Sequence, residues 1–214
     1  MIRAVIFDLD GTLLDTLDDL GAAVNYALQT CGYPPRTRDE VRAFIGNGVI
    51  RLMQRAMPQG VSQAEFDRCF ASFRERYLSH MNDQTRVFDG ILPLLCNLKA
   101  HGIKTAVVSN KLQPGVAGLC SAYFGDSIDC AVGVTAENER KPAPVNVLRV
   151  METLDVSAEE TLCLGDSEVD VQTAQNAGLR CVGATWGYRD RETLLAAGAW
   201  KLIDTPEELL DLLQ

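Results

Sequence analysis

The stretch RAVIFDLDGTLLDT, residues 3–16, runs four apolar residues into two aspartates spaced one residue apart, then breaks at Gly11-Thr12 before a third aspartate. A buried strand explains the apolar run. Side chains at i and i+2 of a strand share a side, so Asp8 and Asp10 are expected to project together from its carboxyl end, about 7 Å apart. Carboxylates that close repel unless a cation sits with them. A turn at Gly11 and Thr12 can present backbone N–H groups to an anion. The plainer reading is an aspartate-rich turn into a helix capped by Asp15 or Thr16, and both readings stand on this stretch alone.

Three further stretches, KTAVVSN (104–110), TLCLGDS (161–167) and RCVGATW (180–186), pack short apolar residues and then stop at small or polar ones. That is the pattern of buried parallel strands. Between them LPLLCNLKAHG (92–102), PAPVNVLRVMETLD (142–155) and SEVDVQTAQNAG (167–178) read as helices, the first and last closed by glycine. The alternation predicts a doubly wound, Rossmann-like α/β core with a parallel sheet. Residues 16–82 depart from it: LDDLGAAVNYALQTCG, RDEVRAFIG, GVIRLMQRAM and SQAEFDRCFASFRERYLSHM all read as helices. A small all-helical cap inserted after the first strand is therefore expected, with residues 1–15 and 83–214 forming the core. An insert that begins at the ligand-binding end of the sheet is placed to roof a site there; the alternative is a bundle that extends the core.

A chain of 214 residues, 47% of them hydrophobic, can bury a sizeable core. The net charge is −9, the pI is about 4.7, and the basic residues do not cluster. Nucleic acid is not expected as a partner, and an acidic substrate needs local donors or a metal. Seven scattered cysteines without a Cys-x-x-Cys pair suggest reduced core thiols. No basic segment leads into a long apolar run, and none of the apolar runs approaches a membrane span, so a cytoplasmic location away from membranes is expected. Monomer and homodimer both remain open.

The other strand ends bear on the two aspartates. Strand 104–108 is expected to deliver Ser109, Asn110 and Lys111, and strand 161–164 to deliver Gly165, Asp166 and Ser167, with Asp170 one turn into the next helix. RKPAP (140–144) adds the cation of Lys141 beside a proline-led helix start. Carboxylates, a hydroxyl, an ammonium and glycine turns thus converge on one sheet edge. Hard oxygen ligands of this kind suit Mg²⁺, which bridges one or two carboxylates to a substrate phosphate. His80 and His101 fall near helix ends and are not placed for a zinc site.

Four motifs in order, DLDGTLLDT, VVSNK, KPAP and GDSEVD, resemble those of the haloacid dehalogenase superfamily, and the resemblance covers the whole chain. It implies that Asp8 is a nucleophile forming an aspartyl-phosphate and Asp10 the general acid and base. It implies Mg²⁺ held by Asp8, the Asp10 carbonyl and Asp166, with Asp170 in support. Ser109, Asn110 and backbone amides of the Gly11-Thr12 turn would hold phosphoryl oxygens, and Lys141 would neutralise charge between nucleophile and phosphate.

Asp10 is the acid that a phosphatase or phosphomutase requires and the dehalogenase branch lacks. Residues 16–82 contain no lysine, which disfavours the phosphonate-cleaving branch and its cap Schiff base. Within the insert, FIGNGVIRLMQRAM (44–57) sets Gly46, Asn47 and Gly48 before a helix carrying Arg51 and Arg55, a plain turn or an anion site. This stretch, SNK and GATWGYRDRE (183–192) are similar to bacterial phosphoglycolate phosphatases. The resemblance implies a small phosphorylated metabolite such as 2-phosphoglycolate, its second charge read by Lys111 or Arg51. The alternatives are a β-phosphoglucomutase-like mutase, a phosphatase for pyrophosphate, sugar phosphate or nucleotide, and a binding domain without turnover.

Overall fold

The computed structural model describes residues 1–213; Gln214, assigned to the core on sequence, lies outside the described residues. In chain order the strands are β1 (Ala4–Phe7), β2 (Leu14–Asp15), β3 (Arg86–Val87), β4 (Lys104–Leu112), β5 (Cys130–Val134), β6 (Thr161–Gly165), β7 (Arg180–Ala184) and β8 (Lys201–Ile203). The helices are α1 (Leu17–Thr30), α2 (Arg38–Phe44), α3 (Gly48–Ala56), α4 (Gln63–His80), α5 (Ile91–Ala100), α6 (Gln113–Tyr123), α7 (Val145–Leu154), α8 (Glu168–Asn176) and α9 (Arg191–Ala196). The chain divides into two compact units, one made of residues 1–14 and 87–213, the other of Asp15–Arg86.

The first unit is built on a six-stranded sheet ordered β5-β4-β1-β6-β7-β8 with every pairing parallel. Counting only its own strands, that order is 3-2-1-4-5-6, the doubly wound arrangement whose switch point lies between β1 and β6. Alternate residues of β1 explain why both faces are covered. Val5 and Phe7 join one apolar cluster with Leu95, Val107, Val116 and Leu164, while Ala4 and Ile6 join another with Val108, Val150, Cys163 and Ala174. Burying Phe7 fully is worth roughly 1.5–3 kcal/mol. None of the seven cysteines forms a disulfide, and burial holds the Cys120 and Cys163 thiols up at about 12, which keeps them protonated.

Helix α7 starts three residues later than its sequence pattern predicts, because Pro144 bars the preceding residue from helical geometry. The edge strands β5 and β8 are not among the strands expected from sequence: β5 is a half-exposed run of five small residues, and β8 is three residues long. Among the described residues, no helix is long and apolar enough to cross a membrane.

The second unit consists of α1 to α4. Capping boxes at Thr37/Glu40 and Ser62/Glu65 start α2 and α4. Phe66, Phe70, Phe73 and Tyr77 stack along one face of α4, with centroids 5.4 to 6.1 Å apart. Asp15 caps nothing strongly; its carboxylate pairs with Arg86 at 2.9 Å, at the opposite end of the unit's sequence. Asp19, 3% exposed, accepts from the Gln84 N–H, the Thr85 N–H and the Thr85 hydroxyl at 2.8 to 3.0 Å. One buried carboxylate thus ties the first helix to the returning chain. Asp19→Ala strands those donors, and we expect a loss of about 2–3 kcal/mol, read as a lowered Tm and earlier proteolysis near residues 81–86.

Candidate active site

Strand β1 stops at Phe7, so Asp8 and Asp10 lie beyond it and the alternation expected for them does not apply. The Leu9 carbonyl accepts the N–H groups of Thr12, Leu13 and Leu14, which winds the chain into a tight turn. Inside it Gly11 donates to the Leu14 carbonyl at 2.8 Å and Thr12 to Leu9 at 3.4 Å. Those two N–H groups therefore have partners within the turn, in contrast to the anion-facing role expected of them. The two aspartates also part company: Asp8 meets Lys141, and Asp10 meets Lys111.

Lys141 Nζ donates to Asp8 Oδ1 and to Asp170 Oδ1, each at 2.6 Å. Burial would pull its ammonium down, but the Asp170 and Asp8 carboxylates outweigh that and hold it above its ordinary value. Asp170 lies in the first turn of α8, where its other oxygen accepts the Ser167 hydroxyl at 2.6 Å and the Ser167 N–H at 3.1 Å. Carboxylate oxygens of Asp8, Asp166 and Asp170 all lie within 4.8 Å of one another. Fully ionised, three carboxylates around one ammonium leave two negative charges in excess, and the crowding resists that state. Burial, with Asp170, Asp166 and Asp10 nearby, pushes the Asp8 carboxyl well above its ordinary value despite Lys141. Burial and Asp170 push Asp166 up to about 7. An all-oxygen donor set with that excess fits a hard divalent cation.

Asp166 is held by parts of the chain that are distant in sequence. Oδ1 accepts the Thr12 hydroxyl at 3.1 Å and Oδ2 accepts the Tyr188 N–H at 2.7 Å. Two glycines make room for it. A β-carbon on Gly11, whose φ is +102°, would lie 2.4 Å from Asp166 Oδ2, and one on Gly187 would lie 2.2 Å from its Cβ. Trp186 donates its indole N–H to the Thr12 carbonyl at 3.0 Å, fastening the loop after β7 to the turn after β1. We expect Gly187→Ala to push Asp166 aside and to weaken divalent-cation binding at the cluster by about 10–100-fold, measured by calorimetric titration with Mg²⁺ as the probe, with a change in Tm of only a few degrees.

Asn110 has both ends of its amide on the main chain of Lys141, accepting from its N–H at 2.7 Å and donating to its carbonyl at 3.3 Å. Ser109, 2% exposed, accepts the Lys111 N–H at 3.2 Å. The loop that delivers Lys141 is shaped by buried Glu139, whose carboxylate accepts from the Thr135 hydroxyl and N–H, the Ala136 N–H and Arg149. The Thr135 bonds, aided by Arg149, lower the Glu139 carboxyl from 4.5 to about 2. A depressed carboxylate stabilises the fold above its unfolded pKa and loses that contribution as pH falls through its folded one. The stability difference between wild type and Glu139→Gln should therefore be full at pH 7, shrink below about 4.5 and vanish near 2, as denaturant titrations at several pH values would show.

Gly46, Asn47, Gly48 and Arg51 belong to the second unit. Asn47 Oδ1 accepts from Arg55 at 2.7 Å, Arg55 also donates to the Phe44 carbonyl, and exposed Arg51 donates to Gln54 at 3.0 Å. His80 pairs with Asp83, and His101 meets the Asn97 carbonyl at the end of α5. Trp186, Gly187 and Tyr188 fall in the stretch GATWGYRDRE, which the resemblance marks without giving any of them a role, and Glu139 is not marked at all. They act through backbone amides, an absent β-carbon and loop shape, and only a glycine standing after a strand hints at one of them.

The sequence family described as "Haloacid dehalogenase-like hydrolase" matches residues 5–184. A phosphoglycolate phosphatase of Pseudomonas putida is 35% identical, over 97% of this chain and 78% of its own length. One from Chromobacterium violaceum is 31% identical over 100% of this chain and 97% of its own. A crystal structure of a predicted phosphoglycolate phosphatase from Haemophilus somnus superimposes with a TM-score of 0.91 at 28% identity, covering 100% of this chain and 98% of the other.

Proposed function

The chain belongs to the haloacid dehalogenase-like hydrolase family, and we propose that it is a magnesium-dependent phosphatase acting on 2-phosphoglycolate through an aspartyl-phosphate. The observation that carries this reading is the Lys141 ammonium shared between Asp8 and Asp170, beside Asp166. Asp8, Asp166 and the Asp10 carbonyl would hold Mg²⁺, with Asp170 in support. Bound there, the ion supplies the positive charge that lets a phosphate dianion approach three carboxylates.

Asp8 attacks phosphorus with a carboxylate oxygen, and the bond to the leaving alkoxide breaks as Asp10 gives that oxygen a proton. Water then attacks the phosphorus of the aspartyl-phosphate, Asp10 takes a proton from it, and the Asp8 carboxylate is regenerated. Lys141 neutralises charge between the nucleophile and the phosphoryl oxygens, and Ser109 donates its hydroxyl to one of them. Asn110 fixes where Lys141 stands. Gly11 and Thr12 serve by seating Asp166. Gly46, Asn47, Gly48 and Arg51 of the helical unit, residues 16–82 of the expected cap, are the proposed readers of the leaving group. We assign the activity to the cytoplasm, with a small phosphorylated metabolite as partner.

Asp8→Asn should abolish Mg²⁺-dependent phosphate release from 2-phosphoglycolate, by about a thousandfold or more. Wild-type protein given ³²P-labelled substrate and quenched in acid should retain label that hydroxylamine removes, and the variant should not. Equal phosphate release by the two proteins would remove Asp8 as the nucleophile.

A further inference from the structure

Lys111 is placed to act on Asp10. Its Nζ donates to Asp10 Oδ1 at 2.8 Å across 101 residues of sequence, and the two side chains are 5% and 17% exposed. An ammonium that deeply covered is stable only with a fixed counter-charge, because desolvation outweighs a loosely held pair. The main chain is held as well. Strand β4 shifts register between Val108 and Leu112, which re-aims residues 109–111, and Lys111 N–H bonds to Ser109 Oγ. The Lys111 carbonyl packs so closely on Gly133 that a β-carbon there would lie 2.6 Å from it. Its aliphatic stem runs along α6, with three carbons 3.4 Å from where a Gly115 β-carbon would be.

Resting on the phosphatase reading above, we propose that Lys111 is a positioning residue for the proton-transferring Asp10 rather than a reader of the substrate's carboxylate. By occupying Oδ1 it leaves Oδ2 to handle the proton. In the first step the proton moves from Asp10 Oδ2 to the leaving oxygen as the ester P–O bond breaks and the Asp8 O–P bond forms. In the second, a water O–P bond forms, the Asp8 O–P bond breaks, and the water proton returns to Oδ2. A carboxyl free to rotate spends less time aimed at the leaving oxygen, which penalises esters whose leaving group must be protonated. p-Nitrophenolate departs without a proton, so its ester is the least affected.

The test compares wild type, Lys111→Met, Asp10→Asn and the double variant on 2-phosphoglycolate, 2-hydroxyethyl phosphate and p-nitrophenyl phosphate, all with Mg²⁺. Lys111→Met should lose kcat on both alkyl esters, carboxylated or not, by about tenfold or more beyond its loss on p-nitrophenyl phosphate. In the Asp10→Asn background the same change should cost less than about threefold, because the group it acts through is gone. Lys111→Gln keeps a donor for Oδ1, should recover part of the alkyl-ester rate, and serves as the working variant if methionine unfolds the site. A raised KM for the carboxylated ester with kcat unchanged on all three, or losses that add to those of Asp10→Asn, would overturn the proposal in favour of carboxylate reading. The phosphatase reading fails separately. Wild type inert on every ester removes both, whereas wild type active only on the two uncarboxylated esters removes the substrate assignment and leaves the Lys111 comparison intact.

Discussion

Three carboxylates within 4.8 Å of one another, two of them buried and the third half-buried, and a single ammonium among them constrain everything that surrounds them. Like charges in a poorly solvated site repel strongly, and no single strand end could present them without help. The sheet distributes the load: Asp8 follows β1, while Asp166 and Asp170 follow β6, the neighbouring strand on the other side of the switch point. Lys141 arrives from the loop after β5, on the far side of β4. Its position cannot drift, since an ammonium displaced from Asp8 and Asp170 would leave both charges buried and uncompensated. That requirement accounts for Asn110 bracketing its main chain and for Glu139 fixing the loop before it.

Asp166 shows how much of such a site is made by backbone. One oxygen takes a hydroxyl, the other a main-chain N–H, and both flanking positions are glycine because the carboxylate fills the space of a side chain. The indole of Trp186 then locks the two contributing turns together. A carboxylate oriented on both oxygens is aimed before any ion binds, so ion binding need not also order the ligand.

What the sequence reveals and what it hides follow from the kind of signal each feature leaves. Buried parallel strands must be apolar on both faces, so β1, β4, β6 and β7 announce themselves, and the polar residues that end their apolar runs include Asp8, Ser109 and Asp166, although β4 itself continues past Ser109 to Leu112. Of the edge strands, β8 is too short to leave such a run, and the run of β5, CAVGV, is half-exposed and short-chained enough to pass for a loop. Chemistry-bearing side chains are legible by type, but their partners are not. The Asp10–Lys111 pair spans 101 residues, and the alternation that would pair Asp8 with Asp10 fails because β1 ends at Phe7, before either of them. Features built from an amide or a missing β-carbon, such as Tyr188 and Gly187, carry no chemical label at all.

The separation of Asp8 from Asp10 is the step from which two different roles become possible in one short turn. Had Asp8 and Asp10 shared one cation, the two would titrate as a single coupled pair around it. Here Asp10 meets Lys111, while Asp8 shares Lys141 with Asp170. Asp8 faces Lys141 and the acidic cluster, a setting that places one positive charge among crowded carboxylates. Asp10 faces Lys111 alone among the lysines, in a turn closed by the Leu9 carbonyl. Because β1 stops at Phe7, the chain can rotate between the two residues. The early end of the strand, which defeats the simple reading of the sequence, is therefore what sets the two carboxylates against different cations.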